Sequence, residues 1–78
     1  MNIYAKQGHK VVYANPQNGY KSDQHLASHN LWEGKTYTVS HTIVSGFSTE
    51  VYLEEVPNIP FNSVMFEDAD TYEEKWNE

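Results

Sequence analysis

The stretch "TYTVSHTIV", Thr36 to Val44, constrains the fold more than any other. Tyr37, Val39, His41 and Ile43 alternate there with Thr36, Thr38, Ser40 and Thr42. A period of two puts each set on its own face of a strand, so the run predicts a strand with one buried side. Thr, Val and Ile are stiff at χ1 and favour a pleated sheet over a helix. This phase places His41 inward with Tyr37 and Val39, as a core or half-buried imidazole bonded to backbone. Turn signals bracket the strand: Glu33-Gly34 before it, and "SGFS" (Ser45 to Ser48), a hairpin connection, after it.

Other short runs read the same way. "HKVVYA" (His9 to Ala14) is β-branched and aromatic, and "NPQNG" (Asn15 to Gly19) ends it, since Pro16 has no amide donor and Asn-Gly suits a turn. "YKSDQHLASHN" carries the only helix signals before the C-terminal segment and is expected to form one or two turns inside a long loop. "STEVYLEEV" reads as a strand with Val51 and Leu53 on one face and Tyr52 on the other. A connection rich in Pro and Asn follows, then a last strand, "NSVMFED", with Val64 and Phe66 opposite Met65. In "DADTYEEKWNE", Asp70 and Glu73 resemble a capping box, and Tyr72 and Trp76 share a helical face. That segment is either a short acidic helix or a frayed tail. The expected fold is mainly all-β: five short strands closing into a small barrel over residues 1–67, with an acidic tail over 68–78.

Composition narrows the function classes. With 78 residues, one domain is expected, and a chain this short buries only about 60% of its unfolded surface. There is no cysteine, hence no disulfide and no thiolate site. Eleven aromatic residues are the main apolar material. No apolar run approaches the roughly 20 residues a membrane span needs, and "MNIYAKQGHK" lacks the apolar core of a signal peptide. A soluble cytoplasmic protein without membrane contact is expected. The net charge is −6. Residues 67–78 hold six acids against Lys75, and residues 1–66 hold five acids against four lysines, so −5 of the charge sits in the last segment. There is no arginine. Phosphate and base-edge contacts lean on Arg and Lys, so direct nucleic-acid binding is not expected.

Leu31 to Gly34 followed by Tyr37 and Val39 resembles the L-x-x-G-x-x-Y-x-V lead-in to the second strand of SH3-like barrels. The long preceding loop sits where their RT loop sits. "IPFNSVMFE" (Ile59 to Glu67) sits where they place a one-turn 3₁₀ helix before the closing strand. "GKTYTV", "STEVYLEE" and "FNSVMFE" together resemble small bacterial and phage proteins of unknown function. The resemblance covers about residues 34–67. It implies an SH3-like five-stranded barrel of bacterial or phage origin and implies no activity. The acidic, Trp-rich pattern of peptide-binding SH3 loops is missing, so proline-rich ligand recognition is not carried over.

Several residue groups are candidates for chemistry. His25 and His29 stand at i and i+4 of "DQHLASH", a spacing that lets two imidazoles face one Zn²⁺ or Ni²⁺ ion, with Asp23 as a third ligand. The competing reading is polar decoration of a mobile loop. Glu54 and Glu55, as strand neighbours, point to opposite faces and cannot act as a carboxylate pair. In "PFNS", Pro60 fixes φ, Phe61 plugs one end of the barrel, and Asn62 and Ser63 bond the turning backbone. Ser63 as a nucleophile would need a base and an oxyanion hole that no motif supplies. No catalytic residue and no cofactor are expected. The aromatics exceed what one small core holds, and exposed Tyr and Trp are favoured in binding hot spots. Tyr20, Trp32, Phe61, Tyr72 and Trp76 are therefore the candidate partner contacts, with Tyr20, Trp32 and Phe61 lining a groove between the long loop and the Pro57–Phe61 connection. The reading is a non-enzymatic protein-binding module, an accessory or regulatory protein. Three others stand beside it: an acidic inhibitor that mimics nucleic acid on a basic host protein, a metal-binding protein through His25 and His29, and a homo-oligomeric structural accessory.

Overall fold

The computed structural model describes residues 1–76, with side chains through Tyr72. The chain runs β1 (Lys10–Tyr13), α1 (Lys21–Asn30), β2 (Thr36–Val44), β3 (Thr49–Leu53), β4 (Val56–Asn62), a 3₁₀ turn (Ser63–Met65), β5 (Phe66–Asp68) and α2 (Ala69–Trp76). The strands form one antiparallel sheet in the order β4-β3-β2-β1-β5. The expected all-β class holds, with two short helices added. The expected closure does not. β4 and β5 end the sheet on opposite sides and do not pair, so the sheet is open. β5 has only three residues and spends its ladder on β1. Between β4 and β5 the chain makes its 3₁₀ turn, where the fully buried Met65 takes amides from Ala14 and Asn15 on its carbonyl.

β2 is shared between two halves of the sheet. Thr36 to Thr38 pair with β1, and Val39 to Val44 pair with β3. The register skips Ser40: Val39 faces Leu53, but His41 faces Tyr52. Such an extra residue bends a strand and reverses its facing. Tyr37 and Val39, before the skip, are buried on the inner face, while His41 and Ile43, after it, face solvent; Thr38, on the other face, is buried beneath Lys10 and Glu55. This corrects the inward assignment of His41. Its ring stacks on Tyr52 on the outer surface, with centroids 4.4 Å apart and planes 10° from parallel. Thr42 takes the inner side, and its hydroxyl donates to the Ile3 carbonyl at 2.8 Å.

The β3–β4 region also departs from the sequence pattern. "STEVYLEEV" is not one strand, because the chain reverses at Glu54-Glu55 and Leu53 pairs with Val56. The Glu54 amide donates to the Thr38 carbonyl at 2.8 Å, and the Glu55 carboxylate accepts the Thr38 amide at 2.9 Å. The "connection" rich in Pro and Asn is itself β4. Pro57 and Pro60 fit there because β4 is an edge strand, where only one side of the backbone needs ladder partners.

The core joins Val11, Tyr13, Val39, Val51, Leu53, Phe61, Met65 and Phe66 from the sheet and 3₁₀ turn to Ala27 and Leu31 at α1. Each large apolar side chain buried this way stabilises by roughly 1.5–3 kcal/mol. α1 has ten residues, longer than the one or two turns expected. The boundary at 67/68 falls inside β5, and Ala69 is buried where α2 packs against β1 and β5. The acidic segment is thus continuous with the fold through α2. Asp68, at the junction, lies 2.8 Å from His9 Nε2.

Two carboxylates tie loops to the sheet, and both are depressed. The hydrogen bond to His9 holds Asp68 below its ordinary pKa against the opposing effect of burial, helped by the charges of His9 and the N-terminus. Burial pushes Glu55 up, but hydrogen bonds from the Thr38 and Glu55 backbone and the Thr38 side chain, with the Lys10 charge, outweigh it and leave it lowered. A depressed carboxylate adds stability that is present above its unfolded-state pKa, about 4 here, and is lost as pH falls through the lower folded-state value. Urea unfolding followed from pH 7 downward is expected to show that loss below about pH 4. Glu55→Ala leaves the Thr38 amide without its acceptor, and a loss of about 1–2 kcal/mol at neutral pH is expected. Glu55→Gln keeps an acceptor oxygen and is expected to recover most of it.

Candidate binding cleft

The residue that builds the site is Asn62, the last of β4. Its side-chain oxygen accepts the Val64 amide at 3.2 Å and so caps the 3₁₀ turn. Its side-chain nitrogen donates to Asp23 Oδ2 on α1 at 3.1 Å. The same Asp23 oxygen accepts the Tyr20 amide at 2.9 Å, one half of a capping box at the start of α1. From the other side, Asn18 Nδ2 donates to the Val64 carbonyl at 3.0 Å. Gly19 lies between these contacts with φ +81°, and a Cβ there would meet Asp23 Oδ2 at 3.0 Å. Glycine fits because it adopts that φ without strain and leaves room for the carboxylate. The long loop is therefore clamped to the 3₁₀ turn by side-chain bonds. In "PFNS", Asn62 shapes backbone, and Phe61 packs edge-on against Phe66 with centroids 6.3 Å apart.

Over this clamp lies a cleft of about 630 Å³ between the Asn18–Tyr20 loop, the 3₁₀ turn and the tip of the β2–β3 hairpin. Phe47 is 98% exposed on the hairpin, Tyr20 is 70% exposed at the start of α1, and Val64 is 48% exposed on the 3₁₀ turn. Three elements thus present apolar side chains to one opening, with the Asn18 and Asn62 amides below. None of the lining residues is charged.

The five candidate partner contacts do not come together. Tyr20 lines the cleft. Trp32 is 76% exposed but stands past the other end of α1, in a smaller hollow with His29 and Leu31. Ten helical residues, about 15 Å, separate the two. Phe61 is 2% exposed and belongs to the core, because the inward phase of β4 carries it under the 3₁₀ turn; it is no surface anchor. Tyr72 is half-buried and reaches toward the Gly34 turn, its hydroxyl 4.0 Å from where a Cβ on Gly34 would sit. The Trp76 side chain lies outside the described residues.

A model of the family described as bacteriophage T4 protein Y07B matches residues 2–78. The chain belongs to that family. It is a phage protein family of unknown function, and its description carries no activity. No curated protein and no solved structure matches. No helix among the described residues is long and apolar enough to cross a membrane.

The two α1 histidines do meet as their spacing requires. Their rings stack with centroids 6.2 Å apart, and His29 Nδ1 lies 2.7 Å from the His25 carbonyl. Asp23 does not join them; its Oδ2 accepts from Tyr20 and Asn62 instead. Among the described residues no group of three or more His, Asp or Glu side chains is arranged to hold a metal ion. The sequence reading passed over Phe47 and Val64 as contacts. The usable signal for Phe47 is its place in a hairpin turn, where an aromatic side chain has no core to reach. Val64 had none, because its exposure follows from the 3₁₀ turn replacing the expected strand.

Asn62→Ala removes the cap and the tie to Asp23 together. A loss of about 1–2 kcal/mol is expected, with faster amide exchange concentrated in residues 18–24 and 62–65. Amide hydrogen exchange checks it, and a uniform change across the sheet would contradict the clamp.

Proposed function

We propose that this protein is a non-enzymatic binding module of SH3-like build that takes a segment of a protein partner into the Tyr20–Phe47–Val64 cleft. The observation that carries the reading is the cleft itself: exposed aromatic and aliphatic side chains from three elements converge on one opening with no charged lining residue. Exposed aromatics of this kind are what interface hot spots use. The strand order β4-β3-β2-β1-β5, with a long loop between β1 and β2 and a 3₁₀ turn before β5, supports the SH3-like relation. The open sheet is the departure from it. A cytoplasmic setting, inside the host of a phage, fits the family.

The acidic segment favours a second reading, an inhibitor that occupies a basic surface in place of nucleic acid. Salt separates the two. Recognition through an uncharged cleft changes little with ionic strength, whereas recognition through the −5 segment weakens steeply with it.

The test is affinity capture from a bacterial lysate with the immobilised protein, run beside a Tyr20→Ala/Phe47→Ser variant. Both positions are exposed, so thermal unfolding of the variant is expected to match the parent. A protein retained by the parent in both 50 mM and 300 mM salt, and reduced about tenfold or more by the variant, is the expected result. Equal retention by the variant overturns the cleft, and retention lost at the higher salt favours the acidic inhibitor.

A further inference from the structure

Asn18 and Gly19 stand side by side in the wall of the cleft, and the pair carries a reactivity of its own. Both are exposed. The Asn18 side-chain nitrogen donates to the Val64 carbonyl at 3.0 Å, and its oxygen takes no bond among the described residues. The Gly19 amide makes no hydrogen bond there either. The side-chain carbonyl carbon of an asparagine and the backbone nitrogen of the next residue can close a five-membered ring. Glycine favours that closure, because it has no Cβ to crowd the ring and the freest backbone of any residue.

The other six asparagines are less suited to it. Asn15 precedes Pro16, which has no N–H to lose. Asn2 and Asn58 each precede an isoleucine, whose branched side chain crowds the ring. Asn30 precedes Leu31, whose amide is bonded to the Ala27 carbonyl at 2.7 Å. Asn62 has both side-chain atoms engaged, by the Val64 amide and by Asp23. Asn77 precedes Glu78, which carries a full side chain.

We propose that Asn18 is a site of spontaneous amide-to-acid conversion, which releases the loop clamp and puts a negative charge into the cleft. The Gly19 nitrogen attacks Asn18 Cγ. A C–N bond forms, the Cγ–Nδ2 bond breaks, and ammonia leaves with the proton that Gly19 gave up. Water then opens the succinimide ring at either carbonyl and leaves aspartate or isoaspartate at position 18. The sum is one water consumed and one ammonia released, with no change of oxidation state. The product carboxylate only accepts, so the Val64 carbonyl loses its donor. Asp23 is close by: a Cβ on Gly19 would meet its Oδ2 at 3.0 Å, so the new charge stands near a like one. The bond to Val64 restrains the Asn18 side chain, so ring closure waits for that bond to open and the clamp sets its rate. This chemistry belongs to the chain itself and holds whatever the cleft binds.

The test is warm incubation of the full chain at mildly alkaline pH, followed by peptide mapping and by assay of released ammonia. Aspartate and isoaspartate are expected at position 18 several-fold sooner than at any other asparagine, with ammonia released in step. Asn62→Ala loosens the clamp and is expected to speed the conversion. Asn18→Gln must close a larger ring and is expected to release far less ammonia. Asn18→Asp stands for one product: it is expected to lose amide-exchange protection over residues 18–24 and 62–65 while the sheet keeps its own. Conversion at Asn18 no faster than at Asn58 overturns the site. An unchanged rate in Asn62→Ala overturns control by the clamp, and exchange in Asn18→Asp that matches the parent overturns its release. Should Asn18→Asp fail to fold, the same exchange comparison is made on the converted parent chain.

Discussion

One strand, β2, holds the two halves of this sheet together, and the extra residue at Ser40 lets it do so. Before that point β2 belongs to β1 and the β5 edge; after it, to β3 and β4. A regular nine-residue strand would keep Tyr37, Val39, His41 and Ile43 on one face and leave Thr38 outside. The bulge instead keeps Tyr37 and Val39 inward and turns His41 and Ile43 outward, with Thr42 on the inner side. Thr38 can be buried because its backbone and side chain are satisfied: Glu55 and Glu54 take care of the amide and carbonyl, and Lys10 donates to the hydroxyl at 2.6 Å.

With the sheet open between β4 and β5, the fold relies on side-chain ties where closure would have supplied ladder bonds. Asn62, Asp23 and Asn18 fasten the long loop to the 3₁₀ turn. His9 and Asp68 fasten the segment before β1 to the start of α2. Each tie contributes about 1 kcal/mol net, a meaningful share for a domain of this size. The Asp68 tie holds its carboxylate below the ordinary pKa, so it is lost only as pH falls under the ordinary carboxylate range.

The same ties sort the surface. α1 borders two clefts: one at its N-terminal end against the 3₁₀ turn, with no charged lining residue, and one along its side, lined by Tyr13, Pro16 and the Lys21–Ser28 face of the helix. Among the described side chains of this segment, Glu67, Asp68 and Asp70 line neither cleft.

The short β-branched runs and the turn residues between them decided the all-β class and the hairpin at Ser45–Ser48, and "YKSDQHLASHN" signalled one or two helical turns but not the ten-residue length of α1. All of these follow from local backbone preference, which sequence carries directly. Three things were settled only by contacts between distant residues. The bulge at Ser40 leaves no local signature, because any residue can be the extra one, and it reversed His41. β4 could carry two prolines only because it lies at an edge, and edge position is a property of the whole sheet. The clefts arose where Tyr20, Phe47 and Val64, or Tyr13 and Lys21, were brought together from separate parts of the chain. Sequence pattern says which residues prefer to be buried; only the packed structure decides which are left facing one another across an opening.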